Sequence, residues 1–197
     1  MTAEAPRRQR ADARRNVDAL LDAATAVFAQ SGVDAPVREI AARAGVGVGT
    51  VYRHYPKRSD LVAAVFRHQV DACSEAAPAL AAEYGPAEAL DRWLARFVDF
   101  LATKRGLVAA LHSGDPAFDA LPAYFDERFH PAVAALLDAA VAAGEVRDDV
   151  PAVDLLLAVA HLCLPAERVG PGHAHRMTAV LLRGLRPVST HPCPETD

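Results

Sequence analysis

The chain has 197 residues, 23% of them charged and 52% hydrophobic, with a formal net charge of -4; that length suits one large or two small cored domains. No run approaches the roughly 18 uninterrupted apolar residues of a membrane span, and the start, MTAEAPRRQR, lacks an apolar signal core, so no membrane role and a cytoplasmic location are expected. Cys73, Cys163 and Cys193 are far apart and form no CxxC pair, which suits a reducing compartment and supplies no zinc site; the first two are expected as small core residues.

Residues 1–11 are polar and arginine-rich and are expected to form a disordered basic arm. From about Asp12, apolar residues at Val17, Leu20, Leu21, Ala24, Val27 and Phe28 recur at helical spacing until Ser31-Gly32. Two short helices follow at about 36–44 and 48–55, then a long one from about 58 to at least 76, loosened near Pro78. After Gly85-Pro86 a helix is expected to about Lys104 and a short one to about His112, with a break at Gly114-Asp115-Pro116. Residues 117–143 read as an interrupted helix, because Pro122 and Pro131 each remove a backbone donor, and Gly144 caps it. Helices at about 152–164 and 173–185 are separated by Pro165 and the Gly170-Pro171-Gly172 loop, and the proline-rich tail 187–197 is expected to be disordered. No strand pattern or internal repeat is present, so the fold class is all-α.

The most informative stretch is 36–58, PVREIAARAGVGVGTVYRHYPKR. Ile40, Ala41, Ala44, Val46 and Val51 form apolar sides on two short helices, and Gly45 stands where the chain must turn, which is the layout of a helix-turn-helix. The opposite side holds Val48, Gly49, Thr50, Tyr52, Arg53 and His54. Charge is uneven in the same sense: residues 1–60 carry ten Arg/Lys against seven Asp/Glu, and the remainder 11 against 18. A basic end of this kind suits nucleic acid, although such runs also occur as plain solvated faces.

Residues 14–66 resemble the DNA-binding domain of TetR/AcrR-type transcriptional regulators, through AATAVFAQSGVDA at 23–35 and VREIAARAGVGVGTVYRHYPKRSDL at 37–61. From residue 86 the chain resembles the ligand-binding half of the same family, in WLARFVDFLATKRGL at 93–107 and AAGEVRDDV at 142–150. The resemblance implies a helix-turn-helix DNA-binding domain at 12–57 and a helical effector-binding and dimerisation domain at 58–186. Ala35 and Pro36 depart from it, standing where the family usually has a Thr or Ser cap; Pro36 still starts a helix well, since its missing N–H would be unpaired there.

On this reading Val48 and Gly49 lie against base edges in the major groove. Thr50, Tyr52, His54 and Lys57 bond phosphates, and Arg38 meets the flanking phosphate. Arg53 reaches either a guanine or the backbone, and the Arg7-to-Arg15 arm adds minor-groove or backbone contacts. Tyr55 and Val51 are expected in the core. In the second half, Trp93, Phe97, Phe100 and Lys104 fall on one helix face, either as packed core or, with Phe66 and Phe125, as the lining of a cavity for an apolar or aromatic small molecule. The apolar helices 152–164 and 173–185 are expected to form the interface of a homodimer on palindromic operator DNA, and Arg at Leu181 or Leu182 to dissociate it.

Enzyme readings fail at the motif level. GVGVGT lacks the GK[ST] ending of a phosphate loop, there is no G-x-S-x-G, and HSGD at 112–115 is an adjacency rather than a catalytic arrangement. His68, His112, His130 and His161 read as surface or core residues, and the i, i+2 pair His173 and His175 lacks a full ligand set, so no metal and no cofactor are expected. A ligand-responsive repressor explains both halves; a constitutive architectural DNA binder explains only the basic end, and a helical carrier or enzyme only the pocket.

Overall fold

A computed structural model describes residues 4–103, 113–164, 169–170 and 172–187. Its regular elements are helical: α1 (Glu4–Ser31), α2 (Val37–Ala44), α3 (Val48–His54), α4 (Arg58–Ser74), α5 (Ala76–Glu83), α6 (Pro86–Thr103), a 3₁₀ turn (Pro116–Phe118), α7 (Leu121–Ala142), α8 (Ala152–Leu162) and α9 (His173–Gly184). No strand occurs among the described residues, and none of their helices is long and apolar enough to cross a membrane. The expected short helix ending near His112, Lys104, and the tail from residue 188 lie outside the described residues.

Three boundaries differ from the sequence expectation. Helix α1 begins at Glu4 rather than near Asp12, so residues 4–11 are helical instead of irregular. Their Ala, Arg, Gln and Glu are good helix formers, and Pro6 falls in the first turn, where its missing N–H is not needed. The long helix expected from 58 past 76 is split, with α4 ending at Ser74 and α5 starting at Ala76. Pro78 accounts for the position of the break, because a proline ring clashes with the carbonyl four residues earlier, here that of Ser74. Conversely, α7 runs from Leu121 to Ala142 with Pro131 inside it. The lost donor is tolerated where Phe129, Val133, Leu136, Leu137 and Ala140 are all buried along the same helix.

The chain divides into two compact units, one of residues 1–72 and 102–128, the other of 73–101 and 129–197. In the first, Leu20, Leu21, Ala24, Val27 and Phe28 of α1 are buried together with Ile40, Ala41 and Val51 of α2 and α3, as the i, i+3, i+4 pattern dictates. Helix α4 buries Leu61, Val62, Val65, Phe66 and Val70 and bonds to α1 through His68 Nε2 to Asp22 Oδ1 at 2.8 Å and Gln69 Nε2 donating to Thr25 Oγ1 at 3.2 Å. The Tyr124 hydroxyl donates to Asp71 Oδ1 at 2.6 Å, and Arg128 Nε lies 3.2 Å from the same oxygen, fastening α7 to α4.

The second unit is built round aromatic rings. Trp93 stacks on Phe97 with centroids 5.8 Å apart, and Phe129 meets Trp93, Phe97 and Phe100 at 5.8, 5.2 and 5.2 Å. The Trp93 indole N–H donates to the Cys73 carbonyl at 2.9 Å, which satisfies the one polar atom of a fully buried side chain. Burial pushes the Cys73 thiol up to about 12, leaving it inert at neutral pH, in keeping with a packing role. Helix α7 ends in a Schellman turn, with Gly144 at φ 70 and the Glu145 N–H reaching the Ala140 carbonyl at 3.0 Å. The Arg147 N–H donates to the Leu185 carbonyl at 2.9 Å, and Arg186 pairs with Asp91 at 2.7 Å, holding the end of α9 in this unit.

Candidate nucleic-acid interface

The turn between α2 and α3 follows from Gly45. At φ 68 it takes a left-handed conformation that a side chain would strain. Its N–H bonds the Ala42 carbonyl at 3.2 Å, and the Val46 N–H bonds the Ala41 carbonyl at 3.0 Å, another Schellman turn. Gly47 then caps α3 in an extended conformation, and its carbonyl accepts the Thr50 N–H at 2.9 Å. Helix α3 is thereby anchored by one residue, the fully buried Val51, and turns its other residues outward.

Val48 is 40% exposed and Tyr52 50%, large values for apolar and aromatic groups with a core beside them. Gly49, Arg53, His54, Lys57 and Arg38 are also exposed, and Thr50 is partly so. A hollow of about 350 Å³ opens between the start of α2 and the end of α3, lined in part by Pro36, Val37, Tyr52 and Lys57. The α2 N-terminus carries no side-chain cap bond at Pro36, consistent with the missing Thr or Ser. Tyr55 is half-buried, its hydroxyl pushed up first by burial and then by Asp18.

Gly49 is informative because the protein does not need it. A Cβ built there meets nothing within 4 Å, and its φ is not left-handed. Glycine inside a helix costs about 1 kcal/mol relative to alanine, so neither packing nor backbone geometry accounts for it. We expect Gly49→Ala to unfold at equal or higher denaturant concentration than the parent while DNA affinity or base preference changes. Urea unfolding beside a binding titration checks this, and unchanged DNA binding would show that the open space faces no partner.

Arg58 is the residue that sequence reading missed, having counted only as one more positive charge. Its guanidinium donates to the carbonyls of Val33 and Ala35, the latter at 2.6 Å, and lies 5.0 Å from the centre of the Phe28 ring. It therefore ties the first turn of α4 to the loop that launches α2. The Lys57 N–H donates to Asp60 Oδ2 at 3.0 Å, half of a capping box that starts α4 beside the exposed Lys57 side chain. No short sequence pattern announces a contact to carbonyls 23 and 25 residues away.

The expected effector residues divide between the units. Phe66 and Phe125 belong to the first, Phe66 buried and Phe125 half-buried, while Trp93, Phe97 and Phe100 are buried in the ring cluster of the second. Among the described residues no group of three or more His, Cys, Asp or Glu could hold a metal ion. His175 lies 3.1 Å from Asp99, and His161 Nδ1 lies 2.7 Å from the Leu157 carbonyl.

Residues 20–65 match the family described as bacterial regulatory proteins, tetR family, and residues 85–187 match the C-terminal domain of SbtR-like transcriptional regulators. The HTH-type transcriptional repressor LfrR of Mycolicibacterium smegmatis is 44% identical over 71 residues, 36% of this chain and 37% of that protein, so the match spans little more than a third of this curated relative. A TetR transcriptional regulator from Streptomyces coelicolor is 38% identical, with 87% of this chain and 99% of that one covered and a TM-score of 0.76. A γ-butyrolactone receptor described as ArpA-like is 26% identical, with 90% and 91% covered and a TM-score of 0.60. The helix-turn-helix with its exposed α3, the helical second half and these matches together show that the chain belongs to the TetR family of bacterial transcriptional regulators.

Proposed function

We propose that the protein is a repressor that binds a short pseudo-palindromic operator as a homodimer and is released from it by a small apolar or aromatic effector. The observation that carries the DNA half is α3, which buries Val51 alone and exposes Val48, Gly49, Tyr52, Arg53 and His54. Val48 offers an apolar contact to a thymine methyl, and Gly49 allows close backbone approach to base edges. Thr50, Tyr52, His54, Lys57 and Arg38 bond phosphates and set the register. Arg53 is assigned to the backbone, since it lies one turn beyond the base-reading end of α3. The functional division is DNA binding by 12–57 and effector binding with dimerisation by 58–186.

Footprinting DNA upstream of the protein's own gene supplies the duplex for the test. Tyr52→Ala with Lys57→Ala is expected to weaken binding to every sequence alike, about tenfold or more, and to reduce the salt slope by roughly one for the lost lysine contact. Equal operator affinity in the double variant sinks the assignment.

Release by an effector is supported by the likeness to a γ-butyrolactone receptor, which is named for a small molecule; the aromatic candidates for its site are Trp93, Phe97 and Phe100 in the second unit, with Phe66 and Phe125 as separate candidates in the first. Trp93 is the single tryptophan, so effector binding at its ring cluster is expected to quench or shift its emission at the same concentrations that free the operator. A change in emission without DNA release separates binding from control.

A further inference from the structure

A second cavity, of about 290 Å³, lies between α6 and α9 within the second unit. On α6, Asp91 and Ala95 look into it from one side of the helix, whereas Trp93 and Phe97, two residues on from each, lie in the ring cluster; helical spacing puts the two sets on opposite faces. The cavity therefore has no share in the aromatic site proposed for the effector.

Three features of its lining specify a ligand. Thr178 is only 3% exposed, and its hydroxyl has no hydrogen-bond partner among the described residues. Buried polar atoms in folded proteins are nearly always paired, so an orphan on a cavity wall marks a missing partner. The oxygen is closed off from the cavity in its present rotamer, and a turn about χ1 to another staggered well brings it to the space its side chain lines. Second, the wall carries two guanidinium groups against one carboxylate: Arg186 is matched by Asp91 at 2.7 Å, and exposed Arg183 forms no ion pair among the described residues. His175, the other basic group there, is matched by Asp99. Third, Leu182 and Ala95 give the remaining wall an apolar surface.

We propose that this cavity binds a small monocarboxylate, its carboxylate bonded by Arg183 and the Thr178 hydroxyl and its short carbon chain against Leu182. A carboxylate carried on a short carbon chain fits better than an inorganic anion, because the guanidinium fork pairs with its planar oxygens while Leu182 and Ala95 offer an apolar wall that only the chain uses. The inference does not depend on the DNA-binding reading.

The test is calorimetric titration of the full chain with sodium butyrate at constant ionic strength, with butyramide and inorganic phosphate as comparison probes. Butyrate is expected to bind saturably, one per chain, and the other two not. Thr178→Val and Arg183→Gln are each expected to weaken butyrate about tenfold, the effect of losing one charge-assisted bond. Without butyrate, Thr178→Val is expected to melt no lower than the parent, since the hydroxyl it removes had no partner. The proposal is overturned if butyrate gives no saturable heat, if phosphate or butyramide binds equally well, or if Arg183→Gln and Thr178→Val leave the affinity unchanged.

Discussion

Trp93→Ala is expected to cost about 3–5 kcal/mol of stability, the range for removing a large aromatic from a close-packed core. The side chain is wholly buried, stacks on Phe97, meets the edge of Phe129, and donates to the Cys73 carbonyl, so its loss opens a cavity and orphans an acceptor together. Trp93→Phe separates the two effects: most of the ring volume stays and the hydrogen bond goes, for an expected cost of about 1–3 kcal/mol. Both variants lose the only indole, so urea unfolding is followed by helical circular dichroism at one fixed chain concentration. A cost below about 1 kcal/mol for Trp93→Ala would mean that the ring cluster is loosely packed and already open to a ligand.

The other large effect concerns assembly. Helices α8 and α9 bury Leu155, Leu156, Val159 and Leu182 within their own unit, while Leu157 is 50% and Val180 57% exposed, with Val153 exposed beside them. These are the apolar groups with something to gain from a second copy of the chain, by the physics of exposed patches. Leu157→Arg with Val180→Arg is therefore expected to give a folded monomer in sedimentation at micromolar concentration and to abolish cooperative binding to a two-half-site operator, which one α3 alone cannot span. Arg at Leu182, which sequence reasoning nominated, is the wrong probe: that side chain is buried, so the variant would damage the unit itself. A wild-type chain that sediments as a folded monomer removes both the interface and the palindrome.

Much of the proposed DNA-binding surface was legible because helix-turn-helix geometry is local. Gly45 between two short amphipathic runs, Val51 as an inward residue of α3, and the outward Val48, Gly49, Tyr52 and Arg53 all follow from spacing over some twenty residues, and the structure has this arrangement, whereas Tyr55, expected in the core with Val51, is only half-buried. Their contacts with DNA remain proposals. Arg58 was not legible, because its partners are backbone carbonyls in a loop 23 and 25 residues earlier and any sequence offers such carbonyls.

By itself the sequence determined that the chain is helical, where most helices begin and end, and which regulator family it belongs to. These depend on apolar period, on proline and glycine positions and on a specific motif string, which act within a few turns of chain. Tertiary packing decided the rest. It kept α7 continuous through Pro131, since buried side chains on that helix offset one lost donor, and it set Trp93 against Phe129, 36 residues away, rather than against its sequence neighbours alone. It also sorted the leucines of α8 and α9 into buried and exposed sets. Burial is a property of what lies opposite a side chain, and nothing in a helical repeat records which neighbour that will be.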